Sequence, residues 1–360
     1  MIPFPHLDLR ARISVRAIGE AECVVSVLLA ILFAHLLGAQ NIAWAAYAGF
    51  MVMRGDVTET LTRAVLRVIG TILAALLALA LVPATQGNWI ANALLLFAIG
   101  TVSLYGALTT RRAYAWLFFG LTYALIALDH LEAPDHSLLG FVITRILETL
   151  AGTMASAIVS LASARTVRHW WPAARPVPAQ TARWHPAAAW HATQAGTALA
   201  LLVVLSHVVA LPALPQGAIT VMAVMMIPAS GIGTSGFGPV SRRILLRFIG
   251  CTVGAAYAAL ILLGAHAHPV WLILGTAAGA ALGRHIESGD PGRAYIGTQF
   301  TLAMLIVLVP DSYANATIGG ALERLSGIFL GMIILEPVLL AGRIANPLAA
   351  RWRLRGGTAG

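Results

Sequence analysis

Residues 63–82 read RAVLRVIGTILAALLALALV, and residues 243–262 read RILLRFIGCTVGAAYAALIL. Each opens with two arginines one helical turn apart and then runs on without a charge. About 20 apolar residues at 1.5 Å each cover the roughly 30 Å of a bilayer's hydrocarbon core, so each stretch reads as a helix that enters lipid from an arginine-bearing boundary. The stretches also match one another: Arg63-x-x-Leu66-Arg67-x-Ile69-Gly70 returns as Arg243-x-x-Leu246-Arg247-x-Ile249-Gly250. Membrane spans and an internal duplication are thus both written into one motif.

The rest of the chain agrees. It has 360 residues, 59% hydrophobic and 10% charged, with a mean hydropathy of +0.83. A soluble domain carries about 25% charged residues, so a water-soluble globule is excluded. At about 30 residues per crossing and loop, the length holds about twelve crossings. The formal charge is +9, yet all 23 basic residues are Arg and lie scattered between apolar runs, which reads as a topology signal and not as a nucleic-acid surface. Cys23 and Cys251 sit beside or within apolar runs and support neither a disulfide framework nor a thiolate metal site.

Apolar stretches fall at about 18–37, 40–53, 64–82, 89–108, 113–128 and 138–162, and again at about 191–211, 216–229, 244–264, 268–283, 294–309 and 316–341. The first is too long for a signal peptide and reads as an uncleaved helix. Arg10 to Arg16, Arg54, Arg63, Arg111, Arg112, Arg165 to Arg183, Arg242, Arg243, Arg284 and Arg343 to Arg355 lie on alternate loops or at a terminus. The intervening loops hold Asp129, Glu132, Asp135 and Asp311 and no Arg. Cytoplasmic loops accumulate positive charge, which predicts both termini and the central linker inside. The short stretches 40–53 and 216–229 count as crossings, because a re-entrant turn would reverse every later loop.

These expectations give an all-α polytopic membrane protein of about twelve transmembrane helices: a first six-helix repeat over 1–164, a cytoplasmic linker over 165–187, a second repeat over 188–345 and a tail over 346–360. Besides the opening motif, Arg112-Ala113-Tyr114 returns as Arg293-Ala294-Tyr295, and Arg145 with Gly152 returns as Arg324 with Gly331. Six spans per copy is an even number, so the copies are predicted to be parallel, like a fused dimer.

Arg67-Val68-Ile69-Gly70-Thr71 opens the third span, Ala113-Tyr114-Ala115-Trp116-Leu117-Phe118-Phe119-Gly120-Leu121-Thr122 the fifth, and Thr144-Arg145-Ile146-Leu147-Glu148 with Gly152 falls in the sixth. On these residues the chain resembles the fusaric acid resistance and aromatic acid exporter family of bacterial inner-membrane proteins. The weaker second copy, which has Cys251 where the first has Thr71, extends the likeness over most of the chain. The resemblance implies efflux of aromatic or related organic acids, often with a periplasmic adaptor protein, and distant kinship to plant malate-permeable anion channels.

Arg145 and Arg324 are the arginines placed well inside predicted spans, where an isolated charge costs roughly 2.5–3.5 kcal/mol on translocon scales. Their planar forks suit a substrate carboxylate, with Glu148 and Glu323 as proton-coupling partners. Against this stands a structural ion pair, with Arg145 snorkelling outward. Arg67 and Arg247, one turn inside the third helix of each copy, are read either as headgroup anchors or as a cytoplasmic mouth for an anion, helped by Gly70 and Gly250. Trp44, Tyr47 and Phe50 recur at i, i+3, i+6, and Tyr114, Trp116, Phe118, Phe119 and Tyr123 crowd the fifth span. A ring-shaped substrate suits Trp44, Tyr47, Tyr114 and Tyr123; an aromatic girdle explains them as simply. Glu20, Glu22 and Glu336 are read either as proton relays or as partners of nearby arginines, the pairing being the expected role.

Gly231-x-Gly233-x-x-Gly236 lacks the strand and helix that give such a pattern meaning, and without Lys no phosphate-binding P-loop exists. His35, His207, His266 and His268 have no metal-ligand spacing. No cofactor, metal or nucleic acid is expected, and no nucleophile constellation points to an enzyme. The expected function is proton-driven efflux of small organic, aromatic carboxylic acids across the bacterial inner membrane. The alternative is a passive organic-anion channel; a membrane-embedded enzyme and a non-transporting scaffold come after it. Partners are the organic anion and the lipid bilayer, with a periplasmic adaptor and a homo-oligomer left open.

Overall fold

The computed structural model describes residues 6–173, 185–227, 232, 237–265, 268–309 and 318–345, without the side chains of 6–14, 318–321, 323 and 324. Most of the linker from 174 on, the glycine-rich loop after residue 227, the loop 310–315, His266 and the tail 346–360 lie outside the described residues. All regular structure among the described residues is helical: α1 (His6–Leu36), α2 (Ile42–Val52), α3 (Val57–Ala84), α4 (Trp89–Thr109), α5 (Ala113–Glu132), α6 (Leu138–Arg165), α7 (Val167–Trp170), α8 (Pro186–Val208), α9 (Leu214–Met225), α10 (Phe237–Ala265), α11 (Pro269–Glu287), α12 (Ala294–Leu308) and α13 (Ile318–Ala345).

Local sequence sets where these helices begin. Asp56 Oδ1 accepts the Glu59 amide at 2.9 Å to open α3, Asn88 Oδ1 accepts Ala91 N–H at 3.0 Å to open α4, and His185 Nδ1 caps α8 ahead of Pro186. Among the described residues, eight helical stretches are long and apolar enough to cross a membrane: 15–36, 57–84, 89–109, 113–132, 138–165, 186–208, 237–264 and 325–345. Leu73, Leu76, Leu260, Leu263 and Ile333 point outward from them, more than half exposed. Such surfaces belong in a lipid bilayer.

The remaining helices are shorter or more polar, and here the structure departs from twelve full-length spans. The stretches expected at 40–53 and 216–229 form α2 and α9, of 11 and 12 residues, about 16–18 Å long. Both are apolar on every side and are buried in protein over most of their length, as a helix without a polar face must be. Arg284, expected in a loop, lies inside α11 and is buried.

Compactness divides the chain into two units gathered from separated stretches: Met1–Val68, Ile143–Pro178 and Leu246–Leu322 in unit 1, and Ile69–Val142, Ala179–Leu245 and Glu323–Gly360 in unit 2. In unit 1, α1 packs on α2 and α11, and α12 packs on α11 and α2. In unit 2, α8 packs on α9 and α4, and α5 packs on α4 and α9. Each unit therefore gathers helices from both halves of the chain, α1, α2, α11 and α12 in unit 1 and α4, α5, α8 and α9 in unit 2.

The repeated glycines make the same contacts in each unit. A Cβ on Gly70 would overlap the Ala115 carbonyl and Phe119 amide of α5, and one on Gly250 the Ile296 carbonyl and Phe300 amide of α12. Gly152 lies against the backbone of α2 at Ala45, and Gly331 against that of α9 at Gly217. Backbones this close gain dispersion contact that lipid tails cannot supply. In unit 1, the Ser26 and Ser156 hydroxyls both donate to the Gly49 carbonyl, at 3.0 and 3.1 Å, tying α1, α2 and α6 together.

Candidate functional site

The ends of the short α2 carry peptide groups that lipid cannot satisfy, each costing several kcal/mol if left bare. Charged side chains take them. At the N-terminal end, Glu148 Oε1 accepts the Asn41 amide at 3.1 Å and Glu148 pairs with Arg145 at 3.0 Å. At the C-terminal end, Arg284 Nη2 donates to the Phe50 and Met53 carbonyls at 2.7 and 3.0 Å, while Nη1 meets Glu287 at 2.9 Å. A carboxylate at the N-terminus and a guanidinium at the C-terminus also match the helix dipole. In unit 2, α9 is treated alike: Glu132 accepts the Ala213 and Leu214 amides at 2.8 and 3.2 Å, while His191 and Arg243 reach the Met225 and Ala223 carbonyls at 3.0 and 3.3 Å.

Along α2 of unit 1 the aromatic stripe meets one arginine at each step. Arg145 lies 5.2 Å from the Trp44 ring centroid and Arg284 lies 4.6 Å from that of Phe50. Between them, Tyr47 is within electrostatic reach of Arg247. Cation–π contact of this kind is worth up to about 2 kcal/mol when desolvated. Three guanidinium groups, from α6, α10 and α11, thus stand beside residues three apart on one short helix.

Their charges are balanced differently. Arg145 has Glu148 and Arg284 has Glu287. Arg247 has 0% exposure, donates through Nη1 to the Gln299 side-chain oxygen, and meets no carboxylate within ion-pair distance among the described residues. By strict geometry its Nε and Nη2 have no hydrogen bond among the described residues, and the Tyr295 hydroxyl lies within hydrogen-bonding reach of the guanidinium. Those two nitrogens share the edge of the guanidinium that binds a carboxylate in the bidentate manner. A neutral amide leaves the buried charge uncompensated, and a monoanion supplies what is missing.

Beyond the α2 C-terminus lies a cavity of about 460 Å³ lined in part by Arg16, Glu22, Arg54, Arg168 and Arg284. Glu22 grips Arg168 through two bonds of 2.8 and 2.6 Å and accepts a third from the Ser163 hydroxyl. Arg54 pairs with Glu287 at 3.2 Å, and Arg16 with Glu20 at 3.4 Å. The wall is cationic but internally paired; a carboxylate entering it competes with Glu22 for Arg168.

Of the residues singled out from sequence, Trp44, Tyr47, Arg145, Glu148 and Arg247 gather in unit 1. Tyr114 and Tyr123 lie on α5 in unit 2, Tyr114 tilted against Phe118 at 4.7 Å and Tyr123 buried. The side chains of Glu323 and Arg324 lie outside the described residues. Arg67 and Arg247 are both buried, whereas a headgroup anchor keeps its guanidinium exposed. Gln299 and Arg284 join the site without having been expected there, Arg284 having the sequence signature of a loop residue. A lone amide in the apolar run 294–309 and the i, i+3 pair Arg284–Glu287 were the available signals.

Residues 29–159 match the family model described as fusaric acid resistance protein-like. The matched segment carries the aromatic stripe of α2 with Arg145 and Glu148, and ends before Arg247 and Arg284. No curated protein and no solved structure matches the chain.

Proposed function

We propose that the chain is an efflux transporter of the bacterial inner membrane, exporting small organic acids, aromatic carboxylates above all, in exchange for protons. In this reading twelve membrane-embedded helices form two like-oriented copies, 1–164 and 188–345, with both termini cytoplasmic. The observation that carries it is Arg247: a fully buried guanidinium without a carboxylate partner among the described residues, held by the neutral Gln299 amide beside the aromatic stripe of α2. A membrane interior makes such a charge expensive, and a function that brings anions to it explains why it is retained.

The steps follow from the charges. The anion is first attracted to the arginine-lined cavity, where Arg168 exchanges Glu22 for the incoming carboxylate. It then docks on the Nε–Nη2 edge of Arg247, with its ring against Tyr47 and Trp44. Arg145 is the next cation along the stripe, and it is released only when Glu148 takes up a proton. Glu148 is therefore the assigned coupling group, with Glu323 and Arg324 as counterparts in the second copy. Arg67 is assigned to the mouth.

A passive anion channel is the second reading, favoured by the same three stepping-stone arginines, which need no titration to pass an anion along. The test uses radiolabelled phthalate, whose two charges keep it from crossing lipid unaided, in inside-out proteoliposomes. Accumulation driven by an acid interior and abolished by Arg247→Gln supports the exporter. Equilibration without accumulation supports the channel, and no phthalate movement under either condition removes both.

A further inference from the structure

Unit 2 contains a second cavity, an open groove of about 920 Å³, lined along α8 by Trp190, Gln194 and Leu201 and flanked by Phe97 of α4 and Val338 and Gly342 of α13. No charged side chain lines it, and its size lies in the range of small-molecule sites. The hydroxyls of Thr193 and Thr197 in its wall are already spent on the Trp190 and Thr193 carbonyls, at 2.7 and 2.9 Å.

What is left unspent is specific. Gln194 is 4% exposed, and both its Nε2 and Oε1 are buried without a hydrogen-bond partner among the described residues; Trp190 Nε1 is in the same position. An unpaired buried amide is a standing cost that Leu in the same place avoids. The opposite wall makes room for it, since a Cβ on Gly342 would overlap the Gln194 amide. Gln194 and Trp190 therefore hold one donor and one acceptor side by side, plus one further donor, just beneath an otherwise apolar surface, and a ligand reaches them when the Gln194 side chain turns out of its slot against Gly342.

We propose that this cavity binds an uncharged ring compound bearing an adjacent donor and acceptor: a primary carboxamide or an undissociated carboxylic acid. Such an edge pairs with Gln194 through two antiparallel hydrogen bonds, the Trp190 N–H reaches the ligand carbonyl, and the ring lies on Phe97 and Leu201. A carboxylate is rejected, because it sets an acceptor against Oε1 where no cation compensates. The site is separate from the anion site of unit 1 and stands whether or not that assignment does.

The test titrates the full-length protein in lipid nanodiscs with benzamide and with benzoic acid, by calorimetry. Benzamide is expected to bind independently of pH, and benzoic acid only as pH falls toward its own pKa. Gln194→Leu is expected to weaken benzamide roughly tenfold or more while leaving the unfolding temperature unchanged or raised, since it removes two unpaired atoms. Trp190→Phe is expected to weaken it by several-fold, and Arg247→Gln to leave it unchanged. Absence of benzamide binding, equal binding to Gln194→Leu with an intact fold, or tighter binding of benzoate than of benzoic acid would overturn the proposal. So would a tightly held lipid that benzamide does not displace.

Discussion

Arg284 and Phe50 meet twice, the guanidinium donating to the Phe50 carbonyl at 2.7 Å and lying 4.6 Å from the centre of the Phe50 ring. One side chain thus closes the polar end of α2 and covers its last aromatic residue, and the second bond to Met53 fixes the turn that follows. Arg284→Ala is expected to destabilise the protein by about 2–4 kcal/mol, because it leaves the buried Phe50 and Met53 carbonyls without their donor, while Glu287 keeps Arg54. Arg284→Lys recovers only part, since an ammonium has no planar fork with which to bond two carbonyls and stack on a ring. Thermal unfolding in detergent ranks the three proteins; equal stability of wild type and Arg284→Ala contradicts the capping role.

The Arg145–Glu148 pair separates structure from coupling. Arg145→Ala leaves Glu148 buried without its cation and is expected to cost about 3–5 kcal/mol. Replacing both by Met removes both charges and recovers only part of that stability, because the Asn41 amide then loses the Glu148 oxygen that caps it. The double variant is nevertheless expected to lose proton-driven accumulation, as is Glu148→Gln, which keeps the shape but cannot titrate. Unimpaired uphill accumulation by Glu148→Gln rejects Glu148 as the coupling group.

The glycines of the duplicated motif hold α3 against α5 and α10 against α12, each in a space that a Cβ would fill. Gly70→Leu and Gly250→Leu are each expected to cost at least about 1–3 kcal/mol of overpacking and to lower the yield of monodisperse protein in size-exclusion profiles. Gly238→Ala in the first turn of α10 is the control, because a Cβ there meets open space. It is expected to be neutral or to stabilise by up to about 1 kcal/mol. Equal yields from all three would mean that these close approaches are not needed.

Much of this was legible before any coordinates. Arg54, Arg111 and Arg112 lie in loops as the alternation of arginines predicts, whereas Arg63, Arg242, Arg243 and Arg284 lie inside helices; the motif Arg63 to Gly70 and its likeness at Arg243 to Gly250 hold the glycines where helices come close. The stripe Trp44, Tyr47, Phe50 was read as one face of a helix, and it is the face on which the arginines converge. What could not be read was long-range. Arg247 and Arg284 follow α2 by about two hundred residues or more, yet pack in the same unit, because each unit gathers separated stretches of the chain. Hydropathy assigns a residue to a span; it does not say which span lies beside it. The shortness of α2 and α9 was visible, but a 14-residue apolar run does not reveal whether it crosses lipid or lies inside protein, with Glu148 or Glu132 at one end.

The account turns on Arg247 being kept without a carboxylate so that a substrate can supply one, and Gln299→Glu tests this with a change of one functional group. The variant places a permanent carboxylate where the Gln299 amide now accepts from Arg247. In phthalate uptake by proteoliposomes, the account predicts a fall of about tenfold or more, equivalent to about 1.4 kcal/mol, with an unfolding temperature unchanged or raised. Uptake at the wild-type rate by a stably folded Gln299→Glu protein would contradict it.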